Sequence, residues 1–354
     1  MQKELPEHIV LSVAYVGSKG THLTLQNNYN QLTPVPAGAN PYAAGQPITA
    51  NDCTSGTTST GVPVTGQAAI NLGIACGNDA NPSRPIQGYG NITSLQDAAN
   101  SIYNSLQATA QRTIGDLQLS VAYTYSHSID DSSDRYDGAF VNAYDVAANR
   151  ASSSFDQRHS MSISYVYVLP FFKGASGLTR SLLGGWQLSG ITIAQTGTPF
   201  SVTNGTAFGD NAGVGNGVGT GSRPDLVGNP RNFSKVNEPN VFGPLYYNPT
   251  AFALPTGLTF GDVGRDTLYM PGRLNFDFGL FKKFVIGEHK EIDFRWENYN
   301  LFNHTQFNSI NGSMDCAPIG STAGDASCLG TSSFLHLTGA HAPRRMQFGL
   351  RFQF

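Results

Sequence analysis

Alternation of apolar and polar side chains at a period of two, recurring along nearly the whole chain, constrains this sequence more than any other feature. At the end of the chain Met346, Phe348, Leu350, Phe352 and Phe354 form one row, and Arg345, Gln347, Gly349, Arg351 and Gln353 the other. Successive side chains of a strand point to opposite sides, so such a segment has one apolar and one polar face. Leu117, Leu119, Val121, Tyr123 and Tyr125 repeat the rhythm against Gln118, Ser120, Ala122, Thr124 and Ser126. Met161, Ile163, Tyr165, Tyr167 and Leu169 do so against Ser160, Ser162, Ser164 and Val166, and the alternation recurs over Leu274 to Leu280, Ile292 to Trp296 and Ile9 to Tyr15. Further strands are readable at about 20–28, 101–112 and 186–203, the last changing phase between Leu188 and Ile191, where Gly190 would mark a bulge. The pattern predicts roughly nine strands of about 9–14 residues, long enough for the tilted crossing of a bilayer.

The connections alternate between short and long. Short links fall at 17–20, 113–116 and 285–288, a middling one at 170–185, and long ones at about 29–99, 127–157, 204–270 and 303–339. Soluble domains seldom carry structureless loops of such length. Bacterial outer-membrane barrels do, with short periplasmic turns and long extracellular loops. The expectation is an antiparallel transmembrane β-barrel in the outer membrane of a Gram-negative cell, with Phe354 at the periplasmic rim. A secreted glycan-binding β-sandwich, with the apolar rows turned inward, is the soluble alternative. Against it stand aromatic residues suited to a membrane girdle (Tyr123, Tyr125, Tyr165, Tyr167 and Trp186) and apolar rows read as free of charge.

Composition agrees. Of 354 residues only 13% are charged, and the net charge of -3 gives no electrostatic reason to bind nucleic acid. No apolar run approaches the ~20 residues of a membrane helix, and Met1 to His8 do not read as an export signal. Cys53 with Cys76, and Cys316 with Cys328, form two local pairs in long links, which predicts loop-stapling disulfides in an oxidising compartment.

Several motifs carry a resemblance. Tyr15-Val16-Gly17-Ser18-Lys19-Gly20-Thr21-His22-Leu23 and Tyr103-Asn104-Ser105-Leu106-Gln107 resemble barrel segments of Oar-like TonB-dependent transporters. So do the run from Ala122 to Asp131, Phe155-Asp156-Gln157-Arg158-His159, the run from Gly185 to Ile191, and the run from Arg295 to His304. The resemblance extends from about residue 8 to the last residue. It implies binding of a large nutrient (an iron chelate, cobalamin or a glycan) at external loops, and import driven by TonB. It also implies that Phe348, Phe352 and Phe354 are read by the barrel-assembly machinery. Such transporters have 22 strands, a plug and a TonB box. Residues 1–354 show neither plug nor box, so they read as the C-terminal part of the barrel, reaching TonB only through N-terminal parts absent here.

Other chemistry is sparse. Asp130, Asp131, Asp134 and Asp137 could offer carboxylates to Ca²⁺, but their spacing is not that of an EF-hand and a solvated polar loop is favoured. Gly205 to Gly221 lacks the lysine of a phosphate loop and reads as a flexible external loop. Asp293, Arg295, Glu297, Arg345 and Arg351 fall on polar rows and are expected to line a wet lumen. No cofactor and no catalytic constellation is expected. A self-standing small porin or surface adhesin is the alternative function; it needs an even number of strands, for which 246–262 is the candidate.

Overall fold

The computed structural model describes residues 1–137, 141–204, 209–215, 222–232, 243–286, 290–314 and 333–354. Nine strands pair antiparallel, in chain order, into one sheet. They are β1 (Gln2–Leu5), β2 (Ile9–Asn28), β3 (Thr93–Arg112), β4 (Leu117–Asp130), β5 (His159–Val168), β6 (Trp186–Gln195), β7 (Arg273–Ile286), β8 (Lys290–Tyr299) and β9 (Arg345–Gln353). A two-residue strand, Ala151–Ser152, adds to the outer end of β4. The sheet does not close on itself, and β1 and β9 are its edges.

The register carries the apolar rows onto a single face. Leu11 pairs with Ala110, Val121 with both Ala110 and Ile163, and Tyr165 with both Leu119 and Gly190. Leu188 pairs with Leu280, Leu280 with Trp296, and Trp296 with Phe348. This face is bare: Phe348 is 68% and Leu350 76% exposed. On the opposite face Ser105, Ser126, Ser128 and Asn275 are buried. The molecule is therefore inverted relative to a soluble sandwich, which would cover the apolar face with a second sheet. Among the described residues the other sheets are two-stranded ladders within the long links. The sandwich reading fails on that arrangement.

Three expectations about the strands are corrected. Residues 17–20 do not turn. β2 runs through them, with Gly17 opposite Asn104 and Lys19 opposite Ile102. Neither Gly17 nor Gly20 has the positive φ that a tight hairpin turn needs. The surplus is absorbed as a register shift between Gly20 and Thr24, around a left-handed His22. The first short link is instead Pro6–His8, so the alternation of link lengths survives with β1 as the added strand. At Gly190 there is no bulge: β6 pairs without interruption on both sides. The glycine admits the Tyr165 ring, which lies where a Cβ would project. Ile191 and Ile193 consequently turn to the polar face. Nor does 246–262 supply a tenth barrel strand, because Phe252–Ala253 pairs with Asp225–Leu226.

At the end of the sheet bearing the long links, residues from those links pack into a cap with apolar cores of its own. One joins Val202, Tyr247, Phe252, Leu268, Phe334 and Leu335. A second gathers Ile48, Val64, Leu72 and Leu258 around α1 (Ala50–Ser55) and α2 (Gln67–Ala75). Thr49 and Asp52 form a reciprocal capping box at the start of α1, and a disulfide joins Cys53 to Cys76. A third core includes Leu32, Ala212 and Val214. The expectation of a flexible loop from Gly205 to Gly221 is corrected for residues 209–215, which are packed. Gly213, at φ +64°, passes so close to the carbonyl of Asn71 that no Cβ fits.

Candidate functional site

The polar face is the side of the open sheet expected to wall a lumen. All five predicted lumen charges lie on it: Asp293 pairs with Arg351, Arg295 with Gly349, Glu297 with Gln347, and Arg345 with Tyr299. Lys283 joins them, 3.0 Å from Glu291 and 4.0 Å from Asp293. Gln111, Gln118, Ser164, Ser189, Asp277 and Glu297 help to line a cavity of about 610 Å³. Nearer the long links a second hollow of about 760 Å³ opens among Arg273, Asp277, Asn300, His341 and Arg345. Burial, and then the neighbouring Arg273, push the His341 imidazole below its ordinary pKa, which favours its neutral form. The surface so formed is rich in hydrogen-bonding groups of both charges. It suits a polar solute.

Above the lumen the cap is tied to the sheet by Arg265, whose side chain is wholly buried. Its Nη2 donates to the carbonyl oxygen of Asp130 at 2.8 Å and also to the Asp130 carboxylate. Nη1 reaches Asp137 Oδ2 and Ser133 Oγ, both at 3.0 Å, and Nε donates to the carbonyl of Asn149. One guanidinium thus binds the third long link to the second and to the outer end of β4. Beside it Asp266 accepts hydrogen bonds from Ser201 and Ser154. Burial holds the Asp266 carboxyl above the ordinary carboxylate range, against the opposing pull of Arg265.

The family model of the outer membrane beta barrel domain matches residues 1–347. The chain belongs to that family. Its place is the bacterial outer membrane, where the bare apolar face meets lipid and the polar face meets water. No curated protein and no solved structure matches the chain.

In this outer-membrane barrel the acidic cluster is not arranged as a Ca²⁺ site. Asp130 and Asp137 face Arg265, and Asp131 faces Arg150 at 3.1 Å. Asp134 accepts from the backbone of Tyr136 in its own turn. Guanidinium groups thus occupy the carboxylates that a cation would need, and no cluster of metal ligands is gathered among the described residues. Cys316 and Cys328 lie outside the described residues. Phe348 and Phe352 stand on the lipid-facing row, with Phe348 stacked on Trp296 and Phe352 on Phe354.

Sequence reasoning missed three features of the barrel. Arg265 sits in a polar link with no periodic signal around it. Asp156, quoted only as part of a motif, is buried and accepts from Arg158 Nε, His127 Nδ1 and the backbone of Ser128. Lys282 lies on the lipid-facing row, between Leu280 and Phe284, so that row is not free of charge. Its ammonium is withdrawn from the bilayer core, over the rings of Trp186 and Phe284 and bonded to the carbonyl of Gly184. Continuing the alternation two residues past Leu280 would have found it.

Proposed function

We propose that this barrel serves a TonB-dependent-receptor-like transporter that takes up a large nutrient: an iron chelate, cobalamin or a glycan. One observation supports the reading above all, a packed cap pinned by Arg265 over a polar, mixed-charge lumen. A passive pore for small solutes gains nothing from such a cover. A large ligand captured at the surface does, because release of the cap can be coupled to passage. TonB would act through a plug and box supplied in addition to these residues. The work is then binding and gating, with no catalytic step. In this reading Phe348, Phe352 and Phe354 present the signal that the barrel-assembly machinery reads. The test compares uptake of labelled iron chelates, cobalamin and oligosaccharides in cells with the gene intact, with the gene deleted, and with TonB depleted. Loss of the same nutrient in both impaired strains is expected; uptake indifferent to TonB would overturn the proposal.

A surface adhesin is the second reading. The independent cores of the cap and its Cys53–Cys76 disulfide favour it, since they make the cap a body able to bind without opening. Ligand retained at the cell surface and never internalised would point to it.

A further inference from the structure

Two of the short links between lipid-facing strands are tight, but the link from β5 to β6 is not. Residues 169–185 form an excursion that includes a short helix, α3 (Gly177–Leu183). The excursion folds outward, against the lipid-facing row. Trp186 Nε1 donates to the carbonyl of Leu182 at 3.1 Å, and Lys282 donates to that of Gly184. Trp186 and Lys282 are paired residues on the apolar face, so the link lies on the outer side of the barrel at its periplasmic rim. Lys173 also meets Asp116 of the neighbouring short turn at 2.5 Å, which holds the excursion along the rim.

What this segment exposes is unusual for a water-facing turn. Phe171, Phe172, Leu178, Leu182 and Leu183 are all exposed, Leu178 at 79%. They lie beside the end of the apolar face that bears Trp186. Between Leu169 and Trp186 the charged residues are Lys173 and Arg180, with no acid; Arg180 stands in the last turn of α3. An apolar segment carrying a cation, lying against a lipid-facing row, has the composition of an interfacial anchor. Cations near anionic headgroups add to the attraction.

We propose that Leu169–Trp186 is a membrane-interface anchor that seats its leucines and phenylalanines in the periplasmic leaflet and recruits anionic phospholipid headgroups through Arg180, Lys173 being held by Asp116. The segment would fix the depth of the barrel in the leaflet, and Lys282 would hold its end in place.

Single-tryptophan versions of the full chain, folded into phosphatidylcholine bilayers, test this. In one, Trp186→Phe and Trp296→Phe accompany Leu178→Trp; in the other, Trp186→Phe leaves Trp296 as a control on the lipid-facing row. Brominated phosphatidylcholine should quench both reporters. Brominated phosphatidylglycerol should quench the reporter at 178 about fivefold more effectively than brominated phosphatidylcholine, the equivalent of roughly one cation at an anionic surface. Adding Arg180→Gln should abolish that preference and leave quenching by phosphatidylcholine intact. A reporter at 178 that neither lipid quenches, beside a quenched Trp296, would place the segment in water and overturn the anchor. Equal quenching by both lipids in the unsubstituted segment would overturn headgroup recognition. Failure to quench Trp296 would remove the lipid-facing assignment on which the anchor depends.

Discussion

Arg265 and Asp130, 135 positions apart in the chain, meet where the guanidinium donates to both the backbone carbonyl and the carboxylate of the aspartate. The arginine belongs to the third long link and the aspartate to the outer end of β4, so this pair couples the cap to the sheet. Removing one partner of a buried ion pair leaves the other charge uncompensated, at a cost of about 3–5 kcal/mol. Arg265→Ala strands Asp130 and Asp137 together. The cap should loosen while the sheet, held by its own ladders, remains. Protease cleavage of the long links on intact cells should rise at least tenfold, with the heat-modifiable gel mobility of the barrel unchanged. Arg265→Lys should restore little, because an ammonium cannot fork to Asp130, Asp137 and Asn149 at once. Cleavage at the native rate would show that the cap does not depend on this latch.

Asp266 gives the cap a pH dependence whose sign follows from burial. Its carboxyl titrates above the ordinary value of 3.8, so the folded cap retains a proton that the unfolded chain releases. That contribution to stability is complete below 3.8 and disappears as the pH climbs through the folded value. Asp266→Asn removes the titration and keeps an oxygen to accept from Ser201 or Ser154. Cap stability, read by native-state hydrogen exchange, should fall in the native chain relative to the variant as pH rises through that window. A difference between the two that stays flat with pH would contradict the assignment.

The Cys53–Cys76 disulfide closes a separation of 23 residues across α1 and α2. Loop-closure entropy for a ring of that size corresponds to about 3 kcal/mol. The paired substitution Cys53→Ser with Cys76→Ser should therefore destabilise the core around Leu72 and Leu258 while β2 and β3 keep their register. Limited proteolysis should cut first between residues 49 and 77. Cleavage beginning elsewhere would mean that the disulfide supports something other than this lobe.

The barrel strands were legible because their information is local. A period of two survives in any single stretch, and the rows around Val121, Ile163, Phe278 and Leu350 meet across the sheet as the alternation requires. The boundaries were less so. Gly17 and Gly20 carry a turn-like composition, yet pairing with eighteen residues of β3 outweighs it. The phase at Gly190 was misread because a glycine in a strand can mark either a bulge or a site for a neighbouring ring, and Tyr165 decides which. The cap was scarcely legible at all. Arg265 finds Asp130, Asp137 and Asn149 through contacts between links, and no spacing in one sequence encodes that meeting. Asp130 to Asp137 therefore looked like a solvated acidic run or a cation site, when two of its carboxylates belong to one arginine.

The assignment of faces is open to the most direct trial of all. Leu350 and Arg351 are neighbours in β9, opposite Phe294 and Asp293 respectively. An arginine on the lipid face near the bilayer midplane costs about 2–4 kcal/mol, whereas a leucine in a wet lumen costs little. Leu350→Arg should thus leave the protein out of the outer-membrane fraction and without heat-modifiable mobility. Arg351→Leu should assemble at close to the native level, with Asp293 still served by Lys283 at 4.0 Å. Membrane fractionation with a gel shift reads both outcomes in one experiment. If the two variants assemble equally well or equally badly, the faces have been assigned the wrong way round. The lumen charges, the lipid-facing aromatics and the interfacial link would then all have to be reassigned together.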